Sequence, residues 1–140
     1  MQDVHQETWL IFHGDIRVGT IAERSGVPLD LDRWGWSLGF YPKSDRPDEI
    51  RSGTAATFKL AREAFGRAWQ DYLPTCTDQD FLVYRLRRAS EAWKHAMWAT
   101  PALLPTQIPD GRSRCFCGAE ITIATTEPHI YEAHMDLGRE

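Results

Sequence analysis

Four residues near the C-terminus have the types and spacing to hold a metal ion. Cys115, Cys117, His129 and His134 lie in the run CFCGAEITIATTEPHIYEAH. The order is C-x-C, eleven residues, then H-x4-H. A Cys2His2 zinc finger spaces its ligands as C-x2-4-C, about twelve residues, then H-x3-5-H. Thiolate sulfur and imidazole nitrogen are donors that Zn2+ prefers, and four protein donors close a structural site. The C-x-C step is one residue tighter than the usual knuckle, and Gly118 follows it directly. A second reading needs no metal. It makes the cysteines small core residues and the histidines polar positions on a terminal helix.

Length favours the metal. The segment from Arg112 to Glu140 has 29 residues, too few to hold a core alone. Its predicted helix, 128–137, is shorter than helices that stand alone in water. Zn2+ supplies there what packing cannot. Four endogenous ligands leave no open coordination position, so a hydrolytic enzyme is the least favoured reading.

The elements that must position this segment follow from periodicity. Trp9–His13 is a short apolar run, and Gly14-Asp15 reads as a turn. Residues 16–22 alternate as a half-buried strand. Ser25-Gly26-Val27-Pro28 breaks it. In 33–41, Trp34, Trp36, Leu38 and Phe40 share one strand face opposite Gly35, Ser37 and Gly39. Residues 42–49 read as a polar loop.

A helix is predicted over 58–72, capped by Thr57 and ended by Pro74, with an apolar stripe at Phe58, Ala61, Phe65, Ala68, Trp69 and Tyr72. A second is predicted over 78–98, with Thr77 and Asp80 as a capping box. Its stripe is Leu82, Leu86, Ala89, Trp93, Ala96 and Met97. Pro101, Pro105 and Pro109 then suggest a stiff, extended linker.

The expected fold is therefore α+β: a three-stranded antiparallel meander packed by an α-helix, a second long α-helix, and a small C-terminal ββα zinc-finger-like unit. The expected division is a core domain over 1–99, a linker over 100–111 and the finger over 112–140. Trp36, Phe65, Trp69, Leu86 and Trp93 are expected in one core.

Several motifs in this frame, WGWSLGFYP, SGTAAT, AREAFGRAW, WKHAMW, QIP, CFCG and HIYEAH, resemble those of a group of small uncharacterised bacterial proteins, largely alphaproteobacterial. The resemblance covers most of 34–135. It implies that the C-x-C-G knuckle is a shared feature, and it implies no activity. More loosely, a βββα unit carrying T-x-x-x-A-R-x-x-F is similar to arm-type DNA-binding domains of tyrosine recombinases and to truncated double-stranded-RNA-binding-like folds. That likeness concerns architecture alone.

Charge weighs on the partner. The 140 residues carry a formal net charge of −4, and residues 112–140 hold three basic and five acidic side chains. Nucleic-acid binders usually show a basic face. The favoured reading is a non-enzymatic, zinc-stabilised binding or regulatory module acting on a protein partner, such as an inhibitor or a mobile-element accessory protein. The alternative is a nucleic-acid-binding regulator that uses Arg85, Arg87, Arg88 and Lys94, or the finger with Arg112 and Arg114. The same arginines also fit a solvated helix face. Trp34, Trp36 and Phe40 suit a base-stacking platform, but their alternation fits a core face better.

Gly35 and Gly39 do not make a dinucleotide fingerprint. His5 and His13 have no nucleophile at a recognisable spacing. No carboxylate pair is marked out as acid and base. Three cysteines do not make a disulfide framework, and Cys76 reads as a partly buried thiol. With no secretory pattern among the first residues and no membrane-length apolar run, the expected location is cytoplasmic.

Overall fold

The structure is a computed structural model that describes residues 7–26, 28, 31–45, 49 and 51–139. The expectations for His5, for Val27 and for 46–48 of the polar loop lie outside those residues. The fold is α+β, as expected. It divides into two compact units, Met1–Phe81 and Leu82–Glu140. The boundary falls inside the second long helix, not in the proline-containing segment.

In the first unit, β1 (Thr8–His13), β2 (Ile16–Glu23), β3 (Trp34–Leu38) and β4 (Arg51–Ala55) form an antiparallel meander in chain order. The turn between β1 and β2 uses Gly14 at φ 61, a left-handed conformation that costs glycine least. The expected meander has three strands; the observed sheet has four. Residues 51–55, RSGTA, are small and polar with a central glycine, so they carry no strand signal of their own. Gly53 is there for space. A Cβ on it would lie 2.8 Å from the Trp36 indole.

Helix α1 (Phe58–Tyr72) covers one face of this sheet. Its N-cap is Thr57, whose hydroxyl accepts from the Leu60 N–H at 3.1 Å. The aromatic strand β3 meets the helix ring to ring: Trp34 with Phe58 at 5.3 Å and Trp36 with Phe65 at 6.2 Å between centroids. These side chains are therefore occupied in packing. Phe65 also seats on Gly19, where a Cβ would stand 2.5 Å from its ring. Ile16, Val18, Ile21, Leu38, Phe40, Ala61, Phe65 and Tyr72 are buried around this contact.

Helix α2 (Asp78–Ala99) starts on the expected capping box. Thr77 N–H donates to Asp80 and Asp80 N–H donates to the Thr77 hydroxyl, at 2.8 and 3.1 Å. From Leu82 onward it belongs to the second unit. There Ala89, Trp93 and Met97 form one buried cluster with Cys115, Ile121 and Ile130. Leu86, Ala102 and Leu104 pack against it.

Two expectations change here. Trp36, Phe65 and Trp69 lie in the first unit while Leu86 and Trp93 lie in the second, so the two helical stripes serve two cores. Residues 100–111 are also folded rather than extended. Pro105 is buried, Pro105–Gln107 makes a 3-10 turn, and Ala102 N–H donates to Met97 at 2.9 Å. No helix among the described residues is long and apolar enough to cross a membrane.

Candidate metal centre

A short ribbon and a short helix build the site. Strands β5 (Arg112–Arg114) and β6 (Glu120–Thr122) pair antiparallel, with Ser113 opposite Ile121. Their connection carries both cysteines. Cys115 N–H donates to Ala119 and Gly118 N–H donates to Cys115, each at 2.8 Å. Gly118 turns the chain at φ 95. The tight C-x-C spacing is thus met by a turn that folds Cys117 back beside Cys115.

Helix α3 (Thr126–Ala133) follows. It starts two residues before the predicted 128 and stops four before the predicted 137. Pro128 is accommodated because the first turn of a helix needs no donor there. The early stop has a geometric reason. Residues five apart on a regular helix point about 140° apart, at 100° per residue. His129 and His134 could not face one point on such a helix. The helix instead ends at Ala133, and His134 takes φ −133 and ψ 22.

With that bend, four donor atoms converge. Cys115 Sγ is 3.3 Å from His134 Nε2. Cys117 Sγ is 3.5 Å from His129 Nε2. The two Nε2 atoms are 3.2 Å apart, and all four donors lie within 4.8 Å of one another. A tetrahedral zinc with Zn–S near 2.3 Å and Zn–N near 2.0 Å has S···N edges of about 3.5 Å and an N···N edge of about 3.3 Å. These three separations fit those edges, and the remaining donor pairs lie within 4.8 Å. Cys115, Cys117, His129 and His134 are positioned to bind a metal ion.

The surroundings suit a cation. Burial pushes the Cys115 thiol up from its ordinary value and the His134 imidazole down. Both shifts oppose charge when no ion is near. A divalent ion reverses the balance for the thiol, because it stabilises thiolate outright. Trp93 Nε1 donates to Cys115 Sγ at 3.3 Å, a hydrogen bond of the kind that tunes a metal ligand from behind. The Phe116 ring lies 4.8 Å from that of His134. Sequence reasoning read Trp93 only as a core residue. Nothing in the spacing to Cys115 announced the contact.

The other candidate residues do not converge. At 100° per residue, Arg85 and Arg88 share one side of α2 while Arg87 and Lys94 share the opposite side. The Arg88 guanidinium lies 5.6 Å over the Tyr84 ring. Lys94 pairs with Glu91 at 3.8 Å. Arg112 and Arg114 are exposed on β5, and Arg114 donates to the Gly118 carbonyl at 3.1 Å. Cys76 is half-buried, its Sγ 3.6 Å from the Tyr72 carbonyl. Burial raises its thiol pKa, the opposite of an activated thiol. His13 packs its ring against Trp69 and Phe81 at 5.2 and 5.8 Å. No family model, curated protein or solved structure matches the chain.

Proposed function

We propose that the chain is a non-enzymatic, zinc-stabilised binding module whose partner is another protein. The observation that carries the reading is the set of donor distances, 3.2 to 3.5 Å, at Cys115, Cys117, His129 and His134. Four protein donors gathered within 4.8 Å, three of their separations at tetrahedral edges, can fill the whole coordination sphere, which is the mark of a structural zinc. The choice of zinc over other ions rests on the mixed sulfur and nitrogen donor set.

The surface of the finger supports a protein partner. Ile123 and Tyr131 are 60% and 51% exposed. Glu127 and Glu132 line the same shallow cavity as these two side chains. Apolar side chains ringed by acid suit a partner with apolar and basic groups, and repel phosphate. An inhibitor or a mobile-element accessory protein would use such a face.

Three measurements test this together. Elemental analysis of protein purified without chelator should find about one zinc per chain. A gel shift on mixed DNA and RNA at low salt should show no binding. A protein captured from native extract by the wild type should be lost with the I123D/Y131D double variant, while zinc content stays. Folded protein with clearly substoichiometric zinc ends the structural-zinc reading, and a strong low-salt shift ends the protein-partner reading.

A further inference from the structure

Among the described residues, the packing of the first unit leaves a groove open. It lies between β1 and α1 and has a volume of about 560 Å3. Its deepest residues, Val18, Ile21 and Phe65, are buried. Trp9 stands at one end against Phe58, with centroids 5.2 Å apart. At the other end Trp69 lines it. From Phe58 to Trp69 the helix runs eleven residues, about 16 Å at 1.5 Å per residue.

The helical face along this groove is unusual in two residues. Phe58, Arg62, Phe65, Gly66 and Trp69 all line the groove from α1, at the spacing of one helical face. Gly66 sits in mid-helix, where glycine costs about 1 kcal/mol relative to alanine. Close packing does not require it. A Cβ on Gly66 would meet nothing within 4 Å. Arg62 is the one charged residue among those that line the groove, and it makes no ion pair among the described residues.

Apolar surface is retained in water on the opposite wall. Trp9 is 51% exposed and Leu10 46% exposed. Strand β1, TWLIFH, holds no aspartate, glutamate, lysine or arginine. An apolar, aromatic-walled groove of this volume, with a single cation among the described residues that line it, has the size and composition of a small-ligand site. Flat rings pack against aromatic side chains, and a guanidinium fork matches a carboxylate.

We propose that this groove binds a small planar aromatic carboxylate, with the rings beside Gly66 against Phe65 and Trp69 and the carboxylate on Arg62, one helical turn away. Gly66 keeps the space for the rings. The site belongs to the first unit and does not depend on the metal reading.

Titration of the full-length protein with 2-naphthoate, and separately with 2-naphthalenemethanol, tests it by amide and indole N–H chemical shifts. Naphthoate should move the Gly66 amide and the Trp69 indole. It should bind roughly fivefold tighter than the alcohol, as a charge-assisted hydrogen bond at a partly exposed site provides. R62Q should bring naphthoate down to the alcohol's affinity. G66L should fill the groove and abolish both, with helical content unchanged. Equal affinities in the wild type overturn the proposal, as do shifts confined to other residues or none at a few millimolar ligand. Groove resonances that move with protein concentration alone also overturn it, because a second copy then occupies the face. If G66L does not fold, R62Q still decides the matter: unchanged discrimination between acid and alcohol removes Arg62 and the proposal with it.

Discussion

The two units solve the same problem by different means. The first covers a four-stranded sheet with a 15-residue helix and buries aromatic rings between them. The second has two three-residue strands and an eight-residue helix of its own, set on the later turns of α2. Its buried cluster is Ala89, Trp93, Met97, Cys115, Ile121 and Ile130. One of those six side chains, Cys115, is positioned to bind a metal ion. Where the sheet supplies area, hydrophobic burial suffices; where strands are three residues long, four donor atoms holding an ion would take over its role.

The sharpest way to break this contrast is to remove the ion. His134→Ala or a strong chelator should strip zinc and open the second unit, since structural zinc in fingers contributes on the order of 10–16 kcal/mol. Because Cys115 shares a cluster with Ala89 and Trp93, lost amide-exchange protection should reach back into α2 from Leu82. Protection around Phe65 should remain. Simultaneous opening of both units would show that they are not separate solutions at all.

The converse substitution comes next. Phe65→Ala removes a ring that is 5% exposed and should cost about 3–5 kcal/mol of first-unit stability. Zinc content should not change. Loss of zinc along with the first unit's thermal transition would contradict the division.

Alkali offers a third test. Tyr72 is fully buried, and burial, with Cys76 and Glu49 nearby, raises its phenol to about 12. An unfolded tyrosine ionises near 10. The stability associated with neutral Tyr72 is therefore complete below about pH 10 and falls as pH rises towards 12. Absorbance at the phenolate band should show one of the four tyrosines titrating late, together with loss of first-unit signal in near-ultraviolet dichroism. Four tyrosines titrating together near 10 in an intact fold would contradict this.

The smallest effect concerns the indole behind the ligand. Trp93→Phe keeps an aromatic ring but removes the N–H that donates to Cys115 Sγ. Zinc affinity, read by competition with a chromophoric chelator, should drop about 10-fold or more. Unchanged affinity would assign Trp93 to packing alone.

Local chemistry was legible from the chain; pairing at a distance was not. Helix α1 was readable at both ends because Thr57 caps it and Pro74 follows it. The Thr77–Asp80 box likewise announced α2, and ligand types and spacing announced the cluster. Strand β4 was hidden because Arg51–Ala55 has no apolar alternation and pairs only through β3. The early end of α3 was hidden because it answers the geometry of His129 and His134 rather than helix propensity. The prolines of 100–111 read as an extended segment, yet Ala102 and Leu104 pack on the second cluster. A stripe of apolar residues shows which face is buried. It does not show against what, and so Leu86 and Trp93 read as members of the same core as Trp36, Phe65 and Trp69.

The ligands are also close together along the chain. From Cys115 to His134 is a span of twenty residues, and the loop between the pairs is eleven residues long. Closing so short a loop costs little chain entropy and takes on the order of 10–100 ns. Cation capture can therefore come first, before the slower search that seats Ile121 and Ile130 on Trp93. In that order of events a bound ion would act as a nucleus, fixing a local hairpin and helix while the rest of the cluster is still unpacked.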